Sequence, residues 1–477
     1  MTTAMNVLRR LRTRAQATGL TREFYTDEDI FDLDLNFIFY REWLFAAHTA
    51  ELPRKGSYVT LQIGAYPIVL VRAADGSIRA FINSCRHRGY RLCPEPQGTA
   101  SKLVCPYHQW TYNLDGRLFA ARQMGSGFDR SLYGLKRVHC ETVAGYIFVC
   151  LASEAPDFTP TYNQLEPYLA PHRIADARVA FESTIIEEGN WKLVWENNRE
   201  CYHCSANHPE LAKVYPDTPT ITSVSGAAGD PKVVEHWHQC ESLGLPSRFH
   251  LSDDGQLRAA RMPLLGPAVS YTASGQSAVK RPLSDDIPRG ANIGALLIFH
   301  YPTTWNHLLG DHAISFRVLP LGPTRTQLTT KWLVHRDAVE GVDYEVEELT
   351  RVWLSTNEQD RRIVHENQIG MNTPTYEPGP FSHTEESGVG QFVDWYSRLL
   401  DRRLSTAAAA CPLPSPEKVF ADWLRSLPRD ADLCAAAQEQ VALIDRRASH
   451  HPDVQFLRTL LAAVTGDGTW RKPFANL

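Results

Sequence analysis

Hydrophobic and polar positions change rhythm several times along this chain. Val7, Leu8 and Leu11 recur at helical spacing among Arg9, Arg10, Arg12 and Arg14, which predicts a basic amphipathic helix lying on the protein. Residues 24–51, with Phe37, Ile38, Trp43, Leu44 and Phe45, are expected to be mostly helical. From 56 to about 153 the texture is that of a small antiparallel β domain. Runs rich in Val, Ile, Tyr and Phe (58–63, 68–71, 79–83, 146–151) alternate there with turn signals such as Asp75-Gly76 and Asp115-Gly116. A proline-marked passage, 155–171, leads into a mixed segment. It holds a strand-like run at 179–186, a helix over 191–207 and a polar, Gly/Pro-rich stretch at 217–289 expected to form long surface loops. Strand-like runs follow at 295–301, 313–319 and 326–334, then a long helix over 344–368. After Arg403 come an alanine run, a proline-marked segment at 411–416 and two amphipathic helical stretches. The expected division is an N-terminal helical segment (1–50) packing on the larger domain, a small β domain (51–155), a larger α+β domain (156–403) with an antiparallel sheet flanked by helices, and a helical C-terminal extension (404–477).

Composition narrows the class. The chain has 477 residues, 43% hydrophobic and 22% charged, the mix of an ordinary globular protein. No apolar run approaches the roughly 18 residues that cross a bilayer. A net charge of −5 without a dense basic block lacks the electrostatic footprint of a nucleic-acid binder. Ten cysteines in a chain this long do not read as a disulfide framework. Two of them stand beside histidines, which reads as metal chemistry in a reducing compartment. The arginine-rich start faintly resembles an organellar transit peptide, but the surface-helix reading is preferred and a cytoplasmic location is the default.

The first metal constellation lies in the β-rich domain: Cys85-Arg-His87-Arg-Gly89 and Cys105-Pro-Tyr-His108-Gln-Trp110. Two thiolates and two imidazoles suit zinc or an iron–sulfur centre. In a Rieske centre two cysteines hold one iron of a [2Fe–2S] cluster and two histidines hold the other. Structural zinc sites usually pair cysteine with cysteine and histidine with histidine. Here each loop carries one of each, as a binuclear cluster needs, because each loop must reach both metals.

The second constellation runs from Asn190 to Pro209. Glu196, Glu200, His203 and Asn207 fall at i, i+4, i+7 and i+11, one face of a helix. Pro209 disfavours helical geometry at His208, which lets that ring swing back toward His203. On the expected long helix, Val346, Leu349, Trp353, Thr356, Asp360, Ile363 and Val364 make an apolar stripe. A carboxylate on such a stripe is costly unless it is paired or binds a metal. Two histidines and one carboxylate with open positions make the site of non-haem Fe(II) oxygenases, so His203, His208 and Asp360 are the expected iron ligands. An ion pair with Arg361 or Arg362 is the competing role for Asp360.

With both constellations in view, residues 25–396 resemble the α subunits of Rieske-type non-haem iron oxygenases. The cluster loops and the motif Glu196-x3-Glu200-x2-His203-x4-His208 carry the resemblance. Asn197–Cys204, Asn207–Glu210, Lys331–His335, Ala338–Tyr344, Thr356–Asp360 and Tyr376–Pro380 are similar to the branch that oxidises quaternary ammonium compounds (glycine betaine, carnitine, choline, stachydrine), the glycine betaine oxygenases most of all. The chain departs from that pattern at Asn198, where an aromatic residue is expected, and in its longer tail.

The resemblance implies a homotrimer in which one subunit's cluster faces the next subunit's iron, with Glu200 bridging a histidine at each centre. It also implies a monooxygenase that uses O2 to oxidise an N-methyl group of a small cationic amine to formaldehyde. A separate NAD(P)H-dependent flavin/iron–sulfur reductase supplies the electrons, since no nucleotide-binding glycine motif is present here. A quaternary ammonium is recognised by aromatic faces, for which Trp195, Tyr202, Phe299, Tyr301 and Trp305 are candidates. A substrate carboxylate would call for an Arg, Lys or His that the sequence does not single out. The alternatives are an aromatic-ring dioxygenase, a Rieske electron-transfer protein without catalytic iron, and a zinc-bearing interaction protein.

Overall fold

The computed structural model describes residues 3–216, 229–410, 415–428, 430–446 and 452–465. Residues 3–402 form one compact unit of the described chain, and those beyond form a second.

The first sheet of the larger unit has seven strands in the order Leu44–His48, Tyr146–Cys150, Arg137–Val143, Ile78–Ile82, Tyr66–Arg72, Ser57–Ile63 and Gln97–Thr99. A three-stranded sheet, Leu103–Val104, Thr111–Tyr112 and Leu118–Ala120, carries one of the Cys/His loops. The expected β domain is present, but its edge is built from a run expected to be helical. Leu44–His48 is a strand, buried throughout, paired antiparallel with Tyr146–Cys150. A short continuous apolar run has no period, so only its partner decides between helix and strand. The helical part of that segment is confined to Glu23–Thr26, Glu28–Asp34 and a π turn over Leu35–Phe39.

The second sheet also has seven antiparallel strands: Ala177–Glu187, Arg325–His335, Ala313–Gly322, Thr304–Leu308, Ala295–His300, Leu257–Met262 and His250–Leu251. Phe45 and Phe148 of the first sheet share a core with Ile298, Leu308 and Leu333 of the second. The long helix, Val346–Met371, packs on Ala177–Glu187 and on the helix Trp191–Asn198. Asn357 of that helix donates to Thr330 Oγ1 at 2.9 Å, which fixes its rotation on the sheet.

Two further expectations are corrected. The helix over 191–207 is two short helices, Trp191–Asn198 and Cys204–Asn207, broken at Arg199–His203. The stretch 217–289 is not all surface loop: it contains the helix Pro231–Ser242 and the strand Leu257–Met262, every residue of which is buried. Residues 217–228 of it, and 411–414 of the proline-marked segment, lie outside the described residues. The N-terminal helix Thr3–Thr13 buries Val7, Leu8 and Leu11 as expected, and Arg10 pairs with Glu23 at 2.8 Å.

The second unit holds the helices Pro416–Ser426, Leu433–Arg446 and Pro452–Thr465, packed around Phe420, Leu424, Ala437, Leu461 and Val464. Among the described residues no helix is long and apolar enough to cross a membrane.

Candidate metal centres and the cavity between them and the sheet

The two Cys/His loops have the same backbone design. Cys85 N–H donates to Tyr90 O and Gly89 N–H to Cys85 O; Cys105 N–H donates to Trp110 O and Gln109 N–H to Cys105 O. The fourth residue after each cysteine is left-handed, Gly89 at φ +77° and Gln109 at φ +60°. These matched turns place both thiols inside and both imidazoles outside. Cys85 and Cys105 are buried, whereas His87 and His108 are exposed with ring centroids 4.7 Å apart. Trp110 stacks on His87 and Tyr107 on His108, which orients the rings. Tyr112 Oη lies 3.3 Å from Cys85 Sγ and accepts from Arg86 N–H. Donors sorted by type, sulfur inward and nitrogen outward, fit a binuclear iron–sulfur cluster with a cysteine iron and a histidine iron.

The second centre forms where the helix breaks. His203 caps the short helix Cys204–Asn207, and the Glu200 carboxylate accepts from the backbone N–H groups of Tyr202 and His203. At the far end His208 has φ −120° and ψ 71°, outside the helix, as Pro209 predicts. His203 Nε2 lies 3.4 Å and His208 Nε2 3.1 Å from Asp360 Oδ1.

Neighbouring groups fix both tautomers. Glu200 Oε1 sits 2.5 Å from His203 Nδ1, and a carboxylate can only accept. Gln359 donates through Nε2 to Glu210, so its Oε1, 2.8 Å from His208 Nδ1, is also an acceptor. Both imidazoles therefore carry their proton on Nδ1 and turn the Nε2 lone pair toward Asp360. Three electron-pair donors facing one another at such distances repel unless a cation sits among them. Burial opposes protonation of His203, but hydrogen bonds that its ring donates to the Asp360 and Glu200 carboxylates overcome it and raise the pKa to about 9. Asp360 is lowered in spite of its burial, through the same two histidines. The donor set fits a two-histidine, one-carboxylate metal site.

Cys204 Sγ approaches both histidines, but it is joined to Cys201 in a disulfide flanking His203. This is one three-residue loop, not a framework, and nothing in the sequence reading anticipated it.

A narrow cavity of about 60 Å³ opens beside this centre. Of the five expected aromatic residues, Phe299 lines it. Trp195, Tyr301 and Trp305 pack behind it as core: Trp195 donates to Pro302 O at 2.7 Å, Tyr301 Oη accepts from Arg199, and Trp305 stacks on Phe316. Tyr202 is 63% exposed and faces away from any cage. Residues that the sequence reading passed over line the cavity instead: Trp353, His307, Tyr215, Arg199 and Arg258. Trp353 carried a signal, since it shares the helical stripe of Asp360. Arg258 carried none, because it lies in the stretch 217–289 that reads as polar loop, and Arg199 stood out only as part of the Asn197–Cys204 motif. His307 is neutral, its pKa pulled down to about 3 by burial. Asn198, the point of departure from the family pattern, lines the cavity with its side-chain oxygen unpartnered.

Comparison with known proteins agrees with this geometry. Residues 42–141 match the Rieske [2Fe-2S] domain and residues 174–402 the ring hydroxylating alpha subunit (catalytic domain). The chain is 46% identical over 401 residues to the glycine betaine monooxygenase oxygenase subunit of Pseudomonas aeruginosa (strain UCBPP-PA14), covering 84% of this chain and 93% of that protein. It is 47% identical to the corresponding subunit of Chromohalobacter salexigens, over 83% of this chain and 89% of the other. Among solved structures, the quaternary ammonium Rieske monooxygenase CntA with L-carnitine has the same fold, with a TM-score of 0.63 at 20% identity over 82% of this chain and 98% of that one. The chain belongs to the Rieske-type non-haem iron oxygenases, as a ring-hydroxylating-type α subunit with a [2Fe–2S] domain and a catalytic iron domain.

Proposed function

We propose that this chain is the oxygenase component of a monooxygenase that removes an N-methyl group from a small quaternary ammonium compound of the glycine betaine type. The observation that carries the iron centre is the convergence of His203 Nε2 and His208 Nε2 on Asp360 Oδ1, with both tautomers fixed from behind. Similarity over most of the chain to glycine betaine monooxygenase oxygenase subunits supports the substrate class. An aromatic-ring dioxygenase is the second reading, and those relatives weigh against it.

In this reading Cys85, His87, Cys105 and His108 hold the [2Fe–2S] cluster, and His203, His208 and Asp360 hold a mononuclear iron. Bound there, the iron would supply O2 activation with electrons passed on by the cluster. The remaining roles belong to the chain. Glu200 and Gln359 hold the histidine tautomers, and Asn197 donates to Asp360 Oδ1 at 2.8 Å, keeping the carboxylate in register. The wall made by Phe299, Trp353 and neutral His307 excludes water and presents aromatic faces to an N-methyl group. Oxidation of one methyl carbon gives a hemiaminal, which releases formaldehyde and the tertiary amine. The balance is quaternary amine, O2, NAD(P)H and a proton going to protonated tertiary amine, formaldehyde, NAD(P)⁺ and water.

Electrons come from a separate NAD(P)H-dependent flavin/iron–sulfur reductase in the cytoplasm, and the active assembly is a homotrimer. The exposed His87/His108 edge of one subunit meets the Glu200/His203 edge of the next, with Glu200 as the bridge. The exposure of those imidazoles supports this, as does the inter-subunit electron transfer of a solved quaternary ammonium relative. The test supplies the iron-loaded protein with reductase, NADH and O2 and measures products over glycine betaine, carnitine, choline and stachydrine. Formaldehyde from glycine betaine, abolished in Asp360→Ala, is expected. No formaldehyde from any of the four, with a reducible cluster, overturns the substrate class.

A further inference from the structure

One side chain in the cavity wall is electrostatically incomplete. Arg258, on the buried strand Leu257–Met262, is 2% exposed, and its Nε and Nη2 have no hydrogen-bond partner among the described residues. Phe249 and Phe299 lie near its guanidinium carbon, with ring centroids at 5.1 and 5.2 Å. Arg199, across the same Phe299 ring at 4.3 Å, differs in being paired: it donates to Tyr301 Oη and to Gln391 Oε1. Two guanidiniums thus flank one ring, and one edge of the second, Nε and Nη2 of Arg258, is unpartnered among the described residues.

Burial, and then the charge of Arg199, pull the pKa of Arg258 down to about 9, yet arginine stays protonated at neutral pH. An uncompensated buried cation is costly and is retained where a ligand completes it. Nε and Nη2 form one edge of the guanidinium and match the two oxygens of a carboxylate in parallel N–H···O bonds. A second arginine nearby adds to the preference for an anion. For a substrate whose other end is a cation, two buried guanidiniums are unfavourable unless the same molecule brings a negative group.

We propose that Arg258 is the carboxylate anchor of the substrate site: its Nε/Nη2 edge holds the carboxylate of a zwitterionic betaine, selects betaines against amino alcohols such as choline, and points the N-methyl end along the cavity toward His203, His208 and Asp360. This deepens the reading above and rests on it for the reaction. It names the group that the sequence could not single out.

The test is equilibrium binding to the cluster- and iron-loaded protein, measured by calorimetry. The ligands are glycine betaine, its uncharged-head analogue 3,3-dimethylbutanoate (a carboxylate without the ammonium) and choline (an ammonium without the carboxylate). The wild type is expected to bind glycine betaine at least ~30-fold more tightly than choline and to bind 3,3-dimethylbutanoate measurably. Arg258→Gln should weaken both carboxylate ligands by at least ~30-fold and tighten choline rather than weaken it, because one repelling cation is gone. Arg258→Lys, which keeps the charge and loses the fork, should fall between the two.

Removing an unpaired buried charge should also leave the melting temperature of Arg258→Gln equal to or above that of the wild type. A purely structural arginine would lower it and weaken all ligands alike. Equal affinity of wild type and Arg258→Gln for glycine betaine overturns the anchor, as does a wild type that binds no carboxylate ligand. Carboxylate binding lost in Arg258→Gln, with no formaldehyde formed by the wild type, upholds the anchor and overturns N-demethylation instead.

Discussion

Tyr112 shows how single residues tune this molecule. Its hydroxyl sits 3.3 Å from Cys85 Sγ, and burial, with Cys85 beside it, raises its pKa well above the ordinary value. The hydroxyl therefore stays a donor, and a donor to a ligand thiolate stabilises the more negative, reduced cluster. Tyr112→Phe should lower the cluster's reduction potential by about 40–60 mV, taking the hydrogen bond as about 1 kcal/mol in a one-electron couple. Redox titration followed by visible absorption checks this, and an unchanged potential refutes the role. At this scale the residues proposed as metal donors stood out in the sequence, because each proposed centre demands particular residue types at short spacings. Tyr112, Gln359 and Arg258 were not. Gln359 acts on His208 across 151 positions, and Arg258 reaches the cavity only through strand pairing with Phe299. No local pattern encodes such partners.

Among the elements, three segments far apart in sequence are tied at one buried point. Asp34, ending the helix Glu28–Asp34, pairs with Lys192 of the helix Trp191–Asn198, both fully buried. Tyr396, on the helix Ser387–Ala410, donates to Asp34 Oδ1 at 2.8 Å, and Trp191 Nε1 donates to Oδ2 at 3.0 Å. The pair holds the helix that leads directly into Glu200 and His203. Asp34→Ala strands the Lys192 ammonium in the core and should cost about 3–5 kcal/mol of stability, read as a lowered unfolding temperature. A loss within ±0.5 kcal/mol, the ordinary range for a surface substitution, would contradict the network's role.

The long helix and most strands of the second sheet were legible from period and β-branched content. Elements failed where two rules competed. Leu44 and Phe45 belong to a strand although the residues before them are helical, and the run 191–207 breaks at Arg199 although its pattern is continuous. The second of these breaks is held locally, by the Glu200 carboxylate accepting from the backbone N–H groups of Tyr202 and His203 within it.

For the whole molecule, packing around the second sheet buries histidines as neutral groups, His300 against Phe148 of the first sheet and His307 against Trp353 of the long helix. Burial drives His300 down to about 4 and His307 to about 3. Because their folded pKa values lie below the unfolded value near 6.5, their contribution is complete above pH 6.5. It is lost as the pH falls toward 4 and 3, where the unfolded chain takes up protons first. Each should contribute a slope of about 1.4 kcal/mol per pH unit in that window. Melting temperatures taken from pH 7.5 down to 5 should fall steadily below 6.5, and His300→Gln should flatten the fall. A flat profile in the wild type would exclude this source of acid sensitivity.

The order of the two centres along the chain, a β domain with mixed Cys/His loops and then a helix-borne triad, was legible as a fold class. The sharing of one core by the two sheets was not, because it depends on Phe45 and Phe148 reaching Ile298 and Leu333.

The central claim is that this chain holds two different iron centres, and counting iron tests it most directly. Wild-type protein reconstituted with iron and sulfide should carry about three irons per chain, two of them in the cluster and one mononuclear. Asp360→Ala should carry about two, with the cluster's visible spectrum unchanged. About two irons in the wild type, or a third iron retained in Asp360→Ala, would contradict the assignment of His203, His208 and Asp360.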